Sequence, residues 1–440
     1  MSDMVVARAP SLRMLLSRFR QHLRDTFWLA PALAMVGVFL IWLAAAELDS
    51  LVVEELKQSG ELDMLVELQR FTDDAKGVVS TVSSAMMTFI GVVFSISLVA
   101  VQMASGQLTP RVVRLFVRSR ITKATFAVFL ATFVLTLLVL SSYDSAPDPS
   151  ALVSVPLVQS VLTLLMVALS LLLFVLYVNA TLRLMRVGHV VARIADEAQR
   201  AMAHLPETTD REAADALPRS RVLVHEGRAG VLQGVDTARL VALARKQGTV
   251  LRVIPRIGDF LVPGTPLLAV PDGSTVSPGS MRHIVSVGAE RTVNSMDLGF
   301  GLRQLSDIAL RALSAAVNDP TTAVQALDRT VQLLAVFSRL PLGAAVHRDR
   351  SAEVRLLQPL PTWTTLVDLG FAEVRVCCAG NPQVSRRVLA GLDDLLRVTP
   401  PDRHPPLRRH RELLSENVGN AAQTDADREF ALRPDRQGIG

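Results

Sequence analysis

Residues 97–118 read SLVAVQMASGQLTPRVVRLFVR and pass within about a dozen positions from an apolar run to a cationic one. The central Thr-Pro pair is of the type that begins a helix, with threonine as cap and proline in the first turn. The arginines that then recur on one helical face are Arg111, Arg114 and Arg118. The stretch predicts the inner end of a membrane helix followed by an amphipathic helix at the membrane surface. That cationic face can contact lipid phosphates, or form a vestibule that gathers anions at a path's mouth, and the two roles are compatible.

Outward from this stretch, the chain divides into an apolar and a polar half. Half of its 440 residues are hydrophobic, and four apolar runs long enough to cross a bilayer all precede residue 181. We predict a basic N-terminal segment, 1–27, and a transmembrane domain, 28–181. The predicted spans are 28–46, 82–104, 122–142 and 152–178.

Loop charges predict the orientation, because cytoplasmic flanks of membrane helices are enriched in Lys and Arg. Every basic segment falls on one side of the predicted spans, whereas residues 47–77 contain nine acids and three bases. We therefore expect both termini in the cytoplasm and a long acidic loop outside. The first apolar run is longer than that of a cleaved signal peptide. A multi-pass protein of a bacterial inner membrane is predicted.

The second span differs from the others because polar and small side chains recur along it at steps of three or four, with only Leu98 interrupting the series. Such spacing places them in one stripe on a helix. The members of this polar stripe are Thr81, Ser84, Thr88, Gly91, Ser95, Gln102 and Ser105. In lipid, a stripe of this kind faces either a neighbouring helix, as close packing, or water, as the lining of a permeation path.

Downstream of the spans we predict a cytoplasmic α+β domain. A helical extension and linker, 182–219, precedes a β-rich module, 221–290, and a helical part, 291–419, is followed by a disordered tail, 420–440. Residues 256–270, RIGDFLVPGTPLLAV, resemble the hairpin of lipoyl and biotinyl carrier domains. No lysine stands at the turn to carry a prosthetic group, so we expect a small structural β-barrel-like module. The fold class is thus a four-helix membrane protein with a cytoplasmic α+β domain.

Two long segments resemble a known family. They are SISLVAVQMASGQLTPRVVRLFVRSR at 95–120 and FGLRQLSDIALRALSAAVNDPTTAVQALDR at 300–329, with the glycine-containing hairpin between them. Together they resemble domain-of-unknown-function family 2254, a set of predicted bacterial membrane proteins. The resemblance implies four spans followed by a cytoplasmic domain. It implies no reaction and therefore no catalytic residues.

The chain carries no motif for catalysis, cofactor or metal. It has no complete Gly-rich phosphate loop, no HExxH sequence and no cysteine cluster, so we expect neither an enzyme nor a bound cofactor. The basic surplus is accounted for by the inner membrane face, which leaves no need for nucleic acid. Two hypotheses remain. One is a homo-oligomeric channel for inorganic ions, lined by the second span, and the other is a non-conducting scaffold or sensor anchored in the bilayer.

Overall fold

The computed structural model describes residues 28–59, 62–107, 119–143, 155–209, 220–273, 276, 284–292 and 294–437. The chain separates into two compact units, residues 1–186 and 187–440. The boundary lies at the break after the fourth long helix, five residues beyond the predicted end of the transmembrane domain. Each unit is described separately below.

The described residues of the first unit form four long helices: α1 (Leu29–Ser59), α2 (Leu62–Gln107), α3 (Arg120–Ser141) and α4 (Leu157–Met185). All four are long and apolar enough to cross a membrane, with candidate spans at 29–59, 74–103, 120–141 and 157–183. The prediction of four apolar helices is therefore confirmed. The helix of the fourth span begins at residue 157, because Pro156 occupies its N-cap position.

The predicted acidic outer loop is not a loop. Helices α1 and α2 continue through it and leave only residues 60 and 61 between them outside the described part. At 1.5 Å per residue, the 46 residues of α2 span about 69 Å, roughly twice the thickness of the hydrocarbon. Leucine and glutamate dominate this region, and both favour helix. The charged part of the hairpin is thus helical.

Helix α3 lies at the centre of the first unit and packs against the other three helices. One cluster of its apolar core contains Leu135 and Val139, and another contains Phe129 and Tyr177. Buried hydroxyls lie between α3 and α4, where Thr132 Oγ1 and Ser170 Oγ are 3.0 Å apart. Most of these hydroxyls also bond to the backbone carbonyls of their own helices, which satisfies them without water.

The second unit contains two sheets. Its strands are β1 (Thr208–Thr209), β2 (Ser220–Val224), β3 (Gly230–Val235), β4 (Leu251–Val253), β5 (Phe260–Leu261), β6 (Pro266–Pro271), β7 (Val285–Gly288), β8 (Ala344–Arg348) and β9 (Val354–Pro359). One sheet has the order β1-β8-β9-β4-β6-β2, and the other has the order β5-β3-β7. Among the strand pairings of the described residues, only that of β4 with β9 is parallel.

This topology corrects the prediction of a separate barrel-like module. Neither sheet among the described residues closes on itself. Strand β4 of the predicted module pairs with β9, which belongs to the part predicted to be helical. The short runs AAVHR and VRLLQP of β8 and β9 alternate only weakly, which hid them among stronger helical patterns.

In the described part of the second unit, most helices pack on one another, and one packs on the larger sheet. They are α5 (Val187–Met202), α6 (Thr237–Lys246), α7 (Leu298–Ala312), α8 (Pro320–Phe337), α9 (Trp363–Cys377), α10 (Pro382–Val398), α11 (His404–Ala421) and α12 (Asp425–Ala431). Asp319 caps α8 by accepting a hydrogen bond from Thr322 N, and Pro320 occupies the first turn. Helices α8 and α9 approach so closely that a Cβ at Gly370 would lie 2.8 Å from Thr330 Cγ2.

The tail predicted to be disordered from residue 420 is folded as far as residue 437. Helix α12 packs against α10, and its Phe430 ring lies 4.4 Å from the guanidinium of Arg386. Arg386 also forms an ion pair with Asp435 at 3.2 Å and donates to Arg433 O. A composition rich in charge suggested disorder, but here the charges hold the tail to the unit.

Candidate functional site

One side of α2 faces the other helices of its own unit. Val79, Met86, Val93 and Ala100 recur every seven residues on this side and are buried. Ser97, on the same side, shares a short hydrogen bond with the buried hydroxyl of Tyr177. The contacts of α2 with its own bundle are therefore made by this side.

The predicted polar stripe lies on the opposite side of α2. The described members are all exposed, and they are Thr81, Ser84, Thr88, Gly91, Ser95 and Gln102. The side chain of Ser105 and the whole of Arg111, Arg114 and Arg118 lie outside the described residues. The stripe is thus brought together on one face, and that face points away from its own bundle.

The exposed faces of α1 and α4 are apolar over lengths at which they can contact lipid. On α1, every exposed residue between 33 and 44 is hydrophobic. The exposed residues of α4 from 161 to 176 are likewise Val, Leu and Ala. Bilayer hydrocarbon can cover apolar faces without leaving hydrogen-bonding groups unsatisfied, whereas it cannot satisfy hydroxyl or amide groups. The outward face of α2 therefore needs a different covering from the outward faces of α1 and α4.

Hydrogen bonding within α2 satisfies only part of the stripe. Thr81 Oγ1 donates to Gly77 O at 2.9 Å, and Thr88 Oγ1 lies 3.5 Å from Ser84 O. Ser95 and Gln102 have no hydrogen-bond partner among the described residues. A Cβ at Gly91 would meet no atom within 4 Å, so packing inside the subunit does not require glycine there.

The carboxylate of Asp49, which was not predicted as a site residue, is buried and only 1% exposed. It accepts hydrogen bonds from Val158 N at 2.7 Å and from Gln159 N at 3.3 Å, at the start of α4. The Gln159 side-chain amide donates to it as well. Asp49 supplies from α1 the cap that Pro156 cannot supply. Sequence spacing carries no signal for a cap 109 residues away.

The described part of the second unit was searched for a comparable site with the results that follow for metal ligands, buried charges and cavities. No group of three or more His, Cys, Asp or Glu that could hold a metal ion occurs among the residues the structure describes. The buried Asp297 carboxylate and the partly buried Arg291 guanidinium form an ion pair across a turn at 2.6 Å. Burial raises the pKa of the Asp297 carboxyl, and the neighbouring guanidinium opposes this. A Cβ at Gly258 would lie 2.7 Å from Arg291 Nε. The ion pair therefore packs directly against the turn at Gly258, which gives it a structural role.

An open cavity of about 550 Å³ lies beside β7, lined by His225, Arg228 and several apolar and glycine residues. His225 Nε2 forms a hydrogen bond with the carbonyl oxygen of Arg228 at 2.9 Å. The histidine thus closes its own turn.

Four apolar helices joined to an α+β unit define a multi-span membrane protein. The chain belongs to the DUF2254 family, described as predicted membrane protein, whose model matches residues 24–394. Its similarity to the uncharacterized proteins Mb1321c of Mycobacterium bovis and Rv1290c of Mycobacterium tuberculosis is 30% identity over 439 residues. That match covers 94% of this chain and 79% of each relative. No solved structure matches the chain.

Proposed function

We propose that the protein forms a homo-oligomeric permeation pathway for inorganic ions, lined by α2, with the second unit as an assembly or gating platform. The observation that supports it is the outward polar face of α2. Lipid is a poor covering for hydroxyls and an amide, and the remaining coverings are a second protein surface or water. Several copies of α2 arranged around an axis provide both coverings. Water then contacts the polar stripe, and protein contacts the residues on either side of it.

The proposed orientation places both termini in the cytoplasm of a bacterium, with the protein in the inner membrane. It follows from the basic segments on one side of the spans and the acid-rich α1–α2 hairpin on the other. In this orientation Gln102 is the innermost member of the stripe whose side chain is described, and the cationic segment with Arg111 follows it in the sequence. That segment is proposed as an inner vestibule that concentrates anions.

A monomeric transporter is a weaker proposal. Ion-coupled transporters usually have buried charges or broken helices near the membrane midplane. In the described spans the buried carboxylate is Asp49, which caps α4 and is fully engaged there. An enzymatic role is not proposed, because no constellation of nucleophile, base and orienting group is found among the described residues.

The test is ion flux in proteoliposomes containing the purified full-length protein. Replacement of both Ser95 and Gln102 by leucine should abolish flux, because it makes the lining apolar at two levels. The matched control is Val175→Leu, on the exposed apolar face of α4, which should leave flux unchanged. Exchange of Arg111, Arg114 and Arg118 for glutamate should shift selectivity from anions toward cations.

Absence of flux from the unaltered protein, with correct insertion verified, would contradict the pathway. The remaining account would then be a membrane-anchored scaffold or sensor acting through the second unit. Flux from the Ser95→Leu/Gln102→Leu variant equal to that of the unaltered protein would show that α2 does not line the pathway.

A further inference from the structure

Strand β7 is an edge of the smaller sheet, because its partner among the described strands is β3 alone. Just before β7, Ile284 O accepts a backbone hydrogen bond from Asp236 N at 2.7 Å. Backbone groups point alternately to the two sides of a strand, so Ile284 and Ser286 face β3. Val285 and Val287 therefore direct their N–H and C=O groups away from β3, where no backbone partner lies among the described residues.

This free edge of β7 borders an open cavity of about 550 Å³. Val285 and Val287 line the cavity together with Leu267 of β6, which is only 1% exposed. A cavity of this size fits a small ligand. Its lining combines apolar side chains with free backbone donors and acceptors. Those are the groups with which an extended peptide adds to the edge of a sheet.

Two opposite charges also line the cavity. They belong to Glu226 and Arg228, and both residues are exposed. Neither side chain has an ion-pair or hydrogen-bond partner among the residues that the structure describes. Their Cα atoms are two positions apart in the chain, at most about 7 Å, so one small ligand can reach both. A peptide with free ends carries an ammonium group and a carboxylate, which match these two charges.

The loop that carries the two charges is fixed by His225, which is 5% exposed. The backbone of His225 donates to Thr265 O and accepts from Gly264 N, both at 2.8 Å. Its ring Nε2 lies 2.9 Å from Arg228 O. A Cβ at Gly227 would lie 2.7 Å from the same ring, so the loop packs closely on the histidine. The loop backbone is thus ordered before a ligand binds, which lowers the entropy cost of binding.

We infer that this cavity binds a short peptide with free ends and apolar side chains, extended along β7. Glu226 binds the ammonium group of the peptide, Arg228 binds its carboxylate, and Val285 and Val287 form hydrogen bonds with its backbone. Free backbone groups two residues apart on an edge pair with three consecutive residues of an added strand, so a tripeptide is the length that fits. The inference concerns the second unit alone and does not depend on ion permeation.

The test is isothermal titration calorimetry of the full-length protein in mild detergent with the tripeptide Val-Ala-Val. Arg228→Gln and Glu226→Gln should each weaken binding about tenfold or more, because each leaves one charged end of the peptide unpaired. The amidated tripeptide lacks the carboxylate, so Arg228→Gln should scarcely change its affinity. Arg350→Gln is the matched control, because Arg350 is an exposed arginine in the turn between β8 and β9. It should leave binding unchanged.

A second variant tests the backbone contact. Val287→Pro removes an N–H group that the sheet does not use, and proline is tolerated at such edge positions. It should abolish measurable binding, whereas Val287→Thr, which keeps the N–H group, should retain it. Circular dichroism verifies that both variants are folded. No heat of binding from the unaltered protein, or an affinity that neither Arg228→Gln nor Glu226→Gln changes, would overturn the inference. Either result would leave the permeation pathway untouched, because ion flux is not part of the measurement.

Discussion

Asp49 is predicted to hold together the end of the four-helix unit at which α4 begins. Its carboxylate, 1% exposed, accepts two backbone N–H groups from the first turn of α4 and the side-chain amide of Gln159. Loss of an N-cap costs about 1 kcal/mol. Each buried donor left without a partner costs about 1 to 3 kcal/mol. Water that enters the vacated space will offset part of this, so we expect Asp49→Ala to lower the free energy of unfolding by about 2 to 4 kcal/mol.

The conservative variant and a neighbour sharpen this test. Asp49→Asn retains one acceptor oxygen and should lose about half as much. Glu47→Ala, two residues earlier on α1 and exposed, should change the free energy by less than about 0.5 kcal/mol. The measurement is SDS-induced unfolding in mild detergent, followed by circular dichroism. An Asp49→Ala variant as stable as Glu47→Ala would refute the capping role.

Three further predictions concern the second unit. Gly370→Ala should destabilise it by about 1 to 3 kcal/mol through overpacking. Gly380→Ala should not, because a Cβ there meets nothing within 4 Å. Equal midpoints of thermal unfolding for the two variants would contradict this. Burial raises the pKa of the Cys378 thiol to about 11. At neutral pH only the exposed Cys377 should therefore react with maleimide until denaturant is added. Rapid labelling of both cysteines in the native protein would contradict this. Burial lowers the pKa of His347, so the unfolded state, with a pKa of about 6.5, binds the proton more tightly. Stability should therefore fall as pH drops below about 6.5, and less steeply in His347→Phe; identical slopes would show that this histidine does not contribute.

The membrane half was largely predictable from the sequence, because long apolar runs have few alternatives in a bilayer. Hydropathy identified all four helices, but not the length of α1 and α2 beyond the hydrocarbon. The polar stripe was identified from spacing alone. Its direction was not, because periodicity shows that Thr88 and Ser95 share a face without showing what that face contacts.

The second unit was predicted less completely because its sheets depend on distant pairings. Strands β8 and β9 are short, and β9 lies between β8 and the distant strand β4 in the sheet. The folded tail depends on Arg386, whose contacts with Phe430 and Asp435 join residues more than 40 positions apart. Local composition carries no information about such contacts.

The water accessibility of Ser95 in the assembled protein is the most direct test of the pathway. Ser95→Cys, in a background with Cys377→Ser, is exposed to a membrane-impermeant charged thiol reagent in proteoliposomes that conduct. Val93→Cys, buried two residues away inside the subunit, is the control. The account predicts rapid modification at position 95 with loss of flux, and none at position 93. A residue 95 that stays unmodified while the protein conducts would contradict it.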